Sequence, residues 1–595
     1  MKKSNKISLI ALLALFFIAQ TSCDDMFEPA IENHKEESDL LNMPLWAAGL
    51  LGHVYIGNPL ASWQITDVAT DNAVINDPNS GLRAMATGSW RANNNPMDRW
   101  QNLRSAWNYL NVVLDIADDV NWAADPLVAE MYRDRFKGDA YGMRALLMHH
   151  LLLHHAGPGP DGQLLGIPII TEPETVTSEF NLPRNTFQEC IDFLIADVNR
   201  AIGLLPDDYG DISQNSLVPA KYANMGVTAS QYSRVFGDHA KNRMSARIAR
   251  AIHAQAALLA ASPAYSAGST ITWEYAADRM AEVLAGLGAN PVNEVDPLGN
   301  LWYANNNEIR DFDAGFNPRE ILWRGNKEQN LGLEQDNYPP TLFGRGRVNP
   351  TQNFVDAFPM LNGYPIDDPN SNYNPNDPYA NRDPRLAQIV IYNGTTAGHT
   401  NAVINTAADA EGNNALNRVA TSTRTGYYLR KLLNHTVNAN PDNEAGGWRY
   451  RAFMRYTEFF LGYAEAANEA WGPTGTGAHG YSAYDVVRAI RQRAGIGVNG
   501  SDPYLDSAMG DRDKMRELIR NERRIELSFE NFRFWDLRRW KEDLTEPAMG
   551  MRIQGGNYTV IPMVESRAYQ NHMYYGPIPF SEVTKYDNLF QNQGW

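Results

Sequence analysis

The chain has 595 residues, and its 69 Asp and Glu outnumber its 52 Lys and Arg to give a formal net charge of −17 at pH 7. This acidic balance argues against nucleic-acid binding, because that affinity comes from Lys and Arg on phosphates. The only two cysteines, Cys23 and Cys190, exclude a disulfide framework and a cysteine-based metal site.

The N-terminus has the pattern of a signal peptide. Lys2, Lys3 and Lys6 precede an almost wholly apolar run of 13 residues from Ile7 to Ala19. A membrane span needs about 20 residues, so this run is too short to cross a bilayer. A positive start followed by a short apolar run is typical of a secretory signal, which predicts that residues 1–22 are removed.

The apolar run ends at Ser22-Cys23, which resembles the lipobox of bacterial lipoproteins. We therefore predict that Cys23 is lipidated and becomes the first residue of the mature protein, although Gln20 stands where a stringent lipobox has Leu. The alternative is a conventional secreted protein in which Cys23 is a bystander. Residues 23–39 are polar and acidic, and we predict that they form a tether between the lipid and the folded domain.

Helical periodicity dominates the first half of the chain after the tether. Apolar residues between Asp98 and Val120 recur at helical spacing, and Asp125-Pro126 opens a second helix that runs to His155, with Pro at its first position. Further helices are predicted over 186–206, 241–261 and 273–287. Short breakers between these segments favour antiparallel helix pairs in a solenoid-like scaffold, although no clean 34-residue repeat is present.

Residues 291–450 differ from the helical segments on either side. They are rich in Asn, Pro, Gly and aromatic residues, and they contain short strand-like runs at 320–323 and 387–392. Long irregular loops on a rigid scaffold usually carry function. We therefore predict that this segment contributes to a binding site.

Helical periodicity resumes after the loop-rich segment, over residues 454–471, 483–493 and 511–530. The pattern predicts one intertwined domain over 40–595 rather than two. Its fold class is mainly α, with a tetratricopeptide-like helix-pair scaffold over about 40–290 and 450–595 and a few short strands.

Several stretches are similar to the SusD/RagB family of outer-membrane lipoproteins. The first begins Met454-Arg-Tyr-Thr-Glu-Phe-Phe-Leu-Gly-Tyr and continues in Val487-Arg-Ala-Ile-Arg-Gln-Arg. The second is Ile519-Arg-Asn-Glu-Arg-Arg-Ile-Glu-Leu-Ser-Phe-Glu, and the third begins Gly576-Pro-Ile-Pro-Phe. Asp24-Asp25, directly after the cysteine, resembles the surface-export signal of Bacteroidetes lipoproteins. Together these matches cover most of the chain in the order of the family.

The resemblance implies a helical fold with four tetratricopeptide-like helix pairs and a glycan site among the irregular segments. It implies non-catalytic capture of a nutrient glycan at the cell surface. It also implies delivery to a SusC-like, TonB-dependent transporter in the outer membrane, with the protein held there by its lipid. A peptide-binding protein of the RagB type is the first alternative, and a surface glycosidase is the second. No cofactor is expected.

Three glutamates in the second stretch could suggest an enzyme. Glu522, Glu526 and Glu530 lie four residues apart, on one face of the predicted helix. The arginines interleaved with them are Arg520, Arg523, Arg524 and Arg533. A glycosidase needs two carboxylates about 5–9.5 Å apart across a cleft, and neutralised carboxylates suit neither the acid nor the nucleophile. We therefore predict a buried structural brace and no catalytic residue.

Sugar recognition needs flat apolar faces for the C–H faces of pyranose rings, with amides and guanidinium groups for the hydroxyls. Two loops offer this chemistry, one before the Asp98 helix and one after the strand-like run at 320–323. The predicted ligand contacts are Arg83, Trp90, Asn93, Asn94, Tyr338, Phe343 and Arg345. The spacing of Trp90 and Asn93 resembles that of well-described sugar contacts in the family. Trp63, Trp302 and Trp323 are second-rank candidates, and core packing is the alternative for each aromatic.

Two other clusters contain residue types that can bind metal ions. His149, His150, His154 and His155 lie at a helix end without a clear third ligand or a neighbouring base, which favours ordinary helix-end histidines over a zinc site. Residues 367–377 are rich in oxygen ligands but lack the Gly and Glu of an EF-hand. Asn and Pro turns are the simpler interpretation of that segment, and an irregular Ca²⁺ site stays open.

Overall fold

A computed structural model of the chain describes residues 41–312, 316–497 and 500–595. The predicted signal peptide, the lipidated Cys23 and the tether lie outside these residues. The helices that form the scaffold and the site, labelled α1 to α11, are Pro44–Ile56, Trp100–Ile116, Pro126–His155, Phe187–Leu204, Ala246–Ala261, Trp273–Leu284, Tyr456–Trp471, Ala483–Arg493, Arg512–Glu526, Arg533–Trp540 and Phe580–Lys585. Shorter helices cover Gly81–Ala84, Ala220–Ala223, Ala229–Phe236, Asn306–Asp311, Gly332–Asn337, Gln352–Asp356, Arg385–Ile389 and Pro503–Asp506.

The strands of the described residues are short and pair antiparallel in twos. Labelled β1 to β14, they are Ala73–Ile75, Gly157–Pro158, Leu164–Leu165, Ile321–Arg324, Glu328–Asn330, Val348–Pro350, Val390–Ile391, Thr395–Ala397, Ala402–Ile404, Tyr428–Leu429, Gly447–Arg449, Ala452–Arg455, Ala548–Gln554 and Asn557–Glu565. The pairs β1–β6 and β4–β12 join distant parts of the chain. They therefore fasten the loop-rich segment to the scaffold without forming a large sheet.

The scaffold is a row of helices in which each packs against the next. Contacts run from α2 to α3, α3 to α4, α4 to α5, α5 to α6, α6 to α7 and α7 to α8, and α9 packs on both α7 and α8. This is the succession of helix pairs that the sequence predicted. The loop-rich segment enters between α6 and α7, so its two ends meet within one helix pair.

The predicted helix starts are confirmed by their caps. The Asp125 carboxylate accepts a hydrogen bond from the main-chain N–H of Leu127 at 2.9 Å, and Pro126 occupies the first turn of α3. At α4, Thr186 and Glu189 form a reciprocal capping box. These side chains satisfy the unpaired N–H groups of the first turn, so the helix boundaries follow from local sequence.

The predicted strand over 387–392 is wrong in its first half. Residues Arg385–Ile389 form a short helix, and only Val390–Ile391 are extended, as strand β7. The Asp383 carboxylate accepts a hydrogen bond from the Arg385 N–H at 2.9 Å, which closes a turn directly before this helix. A short apolar run fits either a helix or a strand, so periodicity alone does not separate the two.

Two large hydrophobic cores hold most of the buried apolar residues in the described ranges, beside three smaller clusters. The larger lies between the scaffold helices and includes Leu146, Leu194 and Phe459. The second lies between the loop-rich segment, the C-terminal strands and α10, and it includes Phe354 and Tyr427. Burial of apolar area at about 25 cal/mol per Å² makes these cores the main source of stability.

A buried set of ion pairs, here called the brace, ties α9 to the rest of the molecule. Glu522 accepts from Arg385 and Arg491, each at 2.8 Å. Glu526 accepts from Arg385 at 2.9 Å and from Arg493 at 2.8 Å. Burial alone would raise the pKa of Glu526, but these guanidinium groups outweigh it and lower that pKa to about 2. The predicted structural role of this carboxylate is thus supported by its contacts.

The geometry of the brace differs from the prediction in two respects. Helix α9 ends at Glu526, so Glu530 lies beyond the helix, where it pairs with Arg455 at 2.7 Å and Lys431 at 2.6 Å. The interleaved arginines do not neutralise these glutamates. Their carboxylate partners are instead Asp71, Asp536, Glu542 and, at 3.9 Å, Glu465. Adjacent residues of a helix point in different directions, so neighbours in sequence are not neighbours in space.

Candidate functional site

The structure contradicts the prediction that Trp90 presents an open face to a sugar. Its side chain is 1% exposed. The indole packs against Trp595 at 4.8 Å and Phe534 at 6.0 Å between ring centroids, and its Nε1 donates to Asn95 Oδ1 at 2.9 Å. An aromatic that closes a core and satisfies its own N–H is a packing residue. Trp90 therefore belongs to the second core.

The polar residues around Trp90 have mixed roles. Arg83 donates from Nε to Glu565 at 2.8 Å, and Asn94 forms a main-chain bridge with Arg91 while its amide donates to the Ser89 carbonyl at 3.2 Å. These contacts hold the loop in shape. Asn93 is exposed. Its contact with a ligand stays a prediction.

The second predicted loop also contains both buried and exposed candidate residues. Tyr338 is fully buried and its hydroxyl donates to the Asn434 carbonyl at 2.8 Å, so the prediction that it faces a ligand is wrong. Phe343 is 54% exposed in a left-handed backbone conformation with φ of 65°. Arg345 is also exposed and pairs with Asp336 at 2.9 Å. Phe343 and Arg345 stay predicted contacts, although no hydrogen bond, ion pair or ring contact among the described residues joins this loop to the Trp90 loop.

The second-rank tryptophans are largely packed. Trp302 and Trp323 are buried, and Trp323 donates from Nε1 to the Asn242 carbonyl at 3.0 Å. Trp63 is half-buried, with the Arg451 guanidinium 5.0 Å above its ring. None of these three offers an open stacking face of the kind that sugar recognition needs.

An open groove of about 610 Å³ lies elsewhere, between α2, the segment 168–182 and α11. Its lining combines aromatic side chains with amides, a guanidinium group and an ammonium group. The main contributors are Gln101, Arg104, Asn108, Tyr109, Glu174, Phe180, Lys585 and Tyr586. This volume falls within the ~300–1,000 Å³ of ligand sites.

The polar wall of the groove is fixed by its own contacts. Arg104 donates to Glu174 at 3.2 Å, and its guanidinium lies 5.8 Å from the ring of Trp100. The Asn108 side-chain oxygen accepts from the Glu174 N–H at 2.7 Å, which leaves its NH₂ group for other partners. Planar hydrogen-bonding groups are therefore held in place beside the cleft, as hydroxyl recognition requires.

The aromatic side of the groove comes from three separate elements. Phe180 is 41% exposed, while Tyr109 and Tyr586 are half-buried. Tyr109 is supported edge-on by His53 of α1, with ring centroids 4.8 Å apart. Such partly exposed rings beside amides can stack on C–H faces while the amides bind hydroxyls.

Sequence reasoning missed this groove, although part of its signal was present. Gln101, Arg104, Asn108 and Tyr109 share the i, i+3, i+7, i+8 spacing of one face of α2. The opposite wall follows about 70 residues later at Glu174 and almost 480 residues later at Tyr586, which no local pattern connects to α2.

The helix-end histidines lie at the end of α3, where His149, His154 and His155 are buried and His150 is half-buried. Burial lowers the pKa of His149 to about 4, and the pKa values of His150 and His154 are also lowered by burial. All three are therefore neutral at pH 7. His155 donates from Nδ1 to the Pro577 carbonyl at 2.7 Å. Among the described residues, no group of three or more His, Cys, Asp or Glu side chains is arranged to hold a metal ion.

The oxygen-rich segment 367–377 uses its side chains on its own backbone. Asp368 accepts from the Asn370 N–H at 2.8 Å, and Asn374 accepts from the Asn376 N–H at 3.0 Å. Both are turns in which the side chain accepts from the main chain two residues on. The irregular Ca²⁺ site stays an untested prediction.

Comparison with known proteins identifies the family that this sequence resembles. A model of the SusD family matches residues 318–595, and a model described as starch-binding and associating with the outer membrane matches residues 45–233. SusD-like protein P2 of Formosa agariphila is 33% identical over 139 residues, which is 23% of this chain and 24% of that relative. The match thus spans about a quarter of the length of that relative.

Solved structures show the same architecture. A SusD-like protein from Bacteroides fragilis aligns with a TM-score of 0.70 and 22% identity over 96% of this chain and 100% of its own. A SusD-like carbohydrate-binding protein from the same species aligns with a TM-score of 0.66 and 21% identity over 92% of this chain and 99% of its own. In the ranges that the structure describes, no helix has the length and apolar character needed to cross a membrane. Two family models that together span most of the chain, and a shared fold over nearly all of it, place this protein in the SusD family.

Proposed function

We propose that the protein binds a glycan at the bacterial outer membrane and passes it, chemically unchanged, to a SusC-like, TonB-dependent transporter. Family membership supports this proposal, since the model that matches residues 45–233 is described as starch-binding and associating with the outer membrane. One structural relative is named as carbohydrate-binding. The residues of this chain must then supply a site with matching chemistry.

The observation that carries the proposal is the groove between α2, the segment 168–182 and α11. Its volume of about 610 Å³ accommodates several sugar units. Partly exposed rings of Tyr109, Phe180 and Tyr586 alternate with Gln101 and Asn108, which is the combination that binds both faces of a pyranose. The groove is open, so a chain longer than the site can extend beyond it.

Binding without turnover is favoured by the state of the carboxylates. Glu174, in the groove, is already paired with Arg104 at 3.2 Å. Glu522 and Glu526 are each held by two guanidinium groups and are buried. A glycosidase needs one protonated and one nucleophilic or basic carboxyl group facing the substrate, and these carboxylates meet neither condition.

The outer face of α1 supports the proposed contact with a partner protein. Leu45, Trp46 and Ile56 are exposed on this helix, which directly follows the predicted tether. Large apolar side chains grouped on a surface are typical of contacts with proteins or membranes. We propose that this face, close to the lipid on Cys23, contributes to contact with the transporter.

The groove is tested with one variant and one matched control. Tyr586→Ala removes a ring that lines the groove, and Phe580→Ala removes an exposed ring of α11 that does not line it. Affinity electrophoresis is run with starch and with panels of neutral, uronate-containing and sulfated polysaccharides. We expect Tyr586→Ala to weaken binding by roughly 5- to 150-fold, as for a central aromatic anchor, and Phe580→Ala to leave it unchanged.

The same assay separates the alternatives. Phe343→Ala tests the loop that was predicted from sequence. If it abolishes binding while Tyr586→Ala and Tyr109→Ala do not, the groove is not the glycan site. Binding of peptide pools, with no polysaccharide retained, would favour the peptide-binding alternative. Release of shorter products from a retained polysaccharide would refute binding without turnover.

A further inference from the structure

A smaller cavity of about 170 Å³ shares no lining residue with the groove. It is lined by residues 59–66, by Met97 and Arg99 just before α2, by Trp302, and by parts of the histidine end of α3, α5, β12, α7 and the α9–α10 region. Its volume is below the ~300–1,000 Å³ of pockets for drug-sized ligands. It therefore suits one sugar unit and not an oligosaccharide.

Most charged groups on the floor of this cavity are neutralised inside the protein. Arg455 pairs with Glu530 at 2.7 Å. Arg523 pairs with Asp536 at 3.2 Å, and Arg539 pairs with the same Asp536 at 2.8 Å. Arg539 also pairs with Glu465. These groups are buried and already paired, so they form a polar floor without an unpaired charge.

Two arginines at the cavity are different. Arg99 and Arg451 line it, and within the described ranges no carboxylate lies within 4 Å of either guanidinium group. Burial lowers the pKa of Arg99 and lowers that of Arg451 to about 10, so both keep their charge at pH 7. The Arg451 guanidinium lies over the ring of Trp63 at 5.0 Å. Asp98 acts on Arg99 and Glu530 acts on Arg451 only from beyond ion-pair distance. Partly desolvated cations without a directly paired carboxylate favour an anion beside them.

Buried polar atoms also point to a ligand with hydroxyl groups. Glu458 is 5% exposed, and its Oε1 accepts from Gln255 at 2.6 Å, while its Oε2 has no hydrogen-bond partner in the described part of the protein. His149 Nδ1, likewise buried, has none there either. Both residues line the cavity. Buried polar groups are almost always hydrogen-bonded, so these atoms require partners inside the cavity.

We propose that this cavity binds one acidic sugar unit, with Arg99 and Arg451 on its carboxylate or sulfate group and Glu458 and His149 on its hydroxyls. Phe453, which is half-buried and also lines the cavity, supplies apolar surface for the ring. The proposal depends on the proposed function only in taking the ligand to be a sugar. The site itself is independent of the groove.

The test measures binding of single sugars to the purified mature protein by titration calorimetry. The probes are glucuronate for a carboxylate, glucose 6-sulfate for a sulfate, glucose as the neutral reference and inorganic sulfate as the bare anion. The variants are Arg99→Gln and Arg451→Gln, with Arg418→Gln, at an exposed position outside the cavity, as the matched control. Tyr586→Ala serves as the groove variant.

We expect one acidic sugar to bind at least tenfold more tightly than glucose. Each cavity variant should weaken it by roughly 10- to 150-fold, the range for loss of a hydrogen bond to a charged group, while Arg418→Gln does not. Tightest binding of glucuronate assigns a uronate, and tightest binding of glucose 6-sulfate assigns a sulfated sugar. Thermal melting of each variant checks that the fold is retained.

Three outcomes would overturn the proposal. These are no binding of either acidic sugar, equal binding by wild type and both arginine variants, and binding of inorganic sulfate as tight as that of the sulfated sugar. Tyr586→Ala keeps the two proposals apart. If it loses polysaccharide but keeps the acidic sugar, both stand; if the acidic sugar binds as expected and Tyr586→Ala changes nothing, only the groove assignment fails.

Discussion

Replacing Glu526 by Gln tests the brace most directly, because the side chain keeps its size and loses only its charge. The carboxylate accepts from Arg385 at 2.9 Å and from Arg493 at 2.8 Å. Its pKa of about 2 lies roughly 2.5 units below the ordinary value of 4.5. At 1.36 kcal/mol per unit, the charged form contributes about 3 kcal/mol to the free energy of unfolding.

An independent magnitude agrees with this figure. Removing one partner of a buried ion pair costs about 3–5 kcal/mol, since the remaining charges stay buried without compensation. The pKa of Glu526 is lowered in the folded state. Its contribution is therefore fully present above about pH 4.5 and is lost as the pH falls towards 2. We expect Glu526→Gln to lose about 3 kcal/mol at pH 7.

The measurement is the urea unfolding midpoint at pH 7 for the wild type, Glu526→Gln and Glu517→Gln. Glu517 is exposed on the same helix and serves as the control, since surface carboxylates contribute little. An unchanged midpoint for Glu526→Gln would refute the structural role. A folded, equally stable variant that had lost a hydrolytic activity of the wild type would restore the enzyme interpretation.

Three further predictions address other parts of the chain. Trp90→Ala should lower the free energy of unfolding by about 3–5 kcal/mol and leave the glycan affinity of the folded protein unchanged, because its indole fills a core; lost binding with an unchanged melting curve would return Trp90 to the site. Cys23→Ala should release the protein from the membrane fraction, and continued retention would exclude the lipid anchor. Burial raises the pKa of Glu458 from 4.5 to about 7, so the wild type should lose about 3 kcal/mol of stability as the pH rises from 4.5 through 7. Glu458→Gln should reduce that loss. The urea unfolding midpoints of the wild type and of Glu458→Gln at pH 5 and pH 8 measure the loss in each protein.

The scaffold could be predicted because its determinants are local. The signals that start these helices act within four residues. Thr186 forms a capping box with Glu189, and Asp125 caps the helix that begins at Pro126. Helical periodicity then fixes which side faces the core. The family motif at residues 519–530 was also informative, since a run of charged residues that becomes buried must be paired.

The partners of the brace could not be predicted for a geometric reason. Glu522 and Glu526 share a helix face, and Arg523 and Arg524 project from other faces of the same helix. The arginines that reach the carboxylates come from separate segments, at Arg385 and Arg493. Spacing along one helix therefore predicts that carboxylates are grouped, and it gives no information on which cations meet them.

The same limit explains why aromatic residues were assigned to the wrong surfaces. A Trp or Tyr in a polar loop has the composition of a sugar site whether its ring points outward or inward, and Trp90 and Tyr338 both point inward. The deciding contact for Trp90 is Trp595, the last residue of the chain, at 4.8 Å. A ring is available to a ligand only when no distant segment covers it. Long-range packing thus decides between core and site, and residues such as Phe180 and Tyr586 can be recognised as candidates only after the fold brings them to one groove.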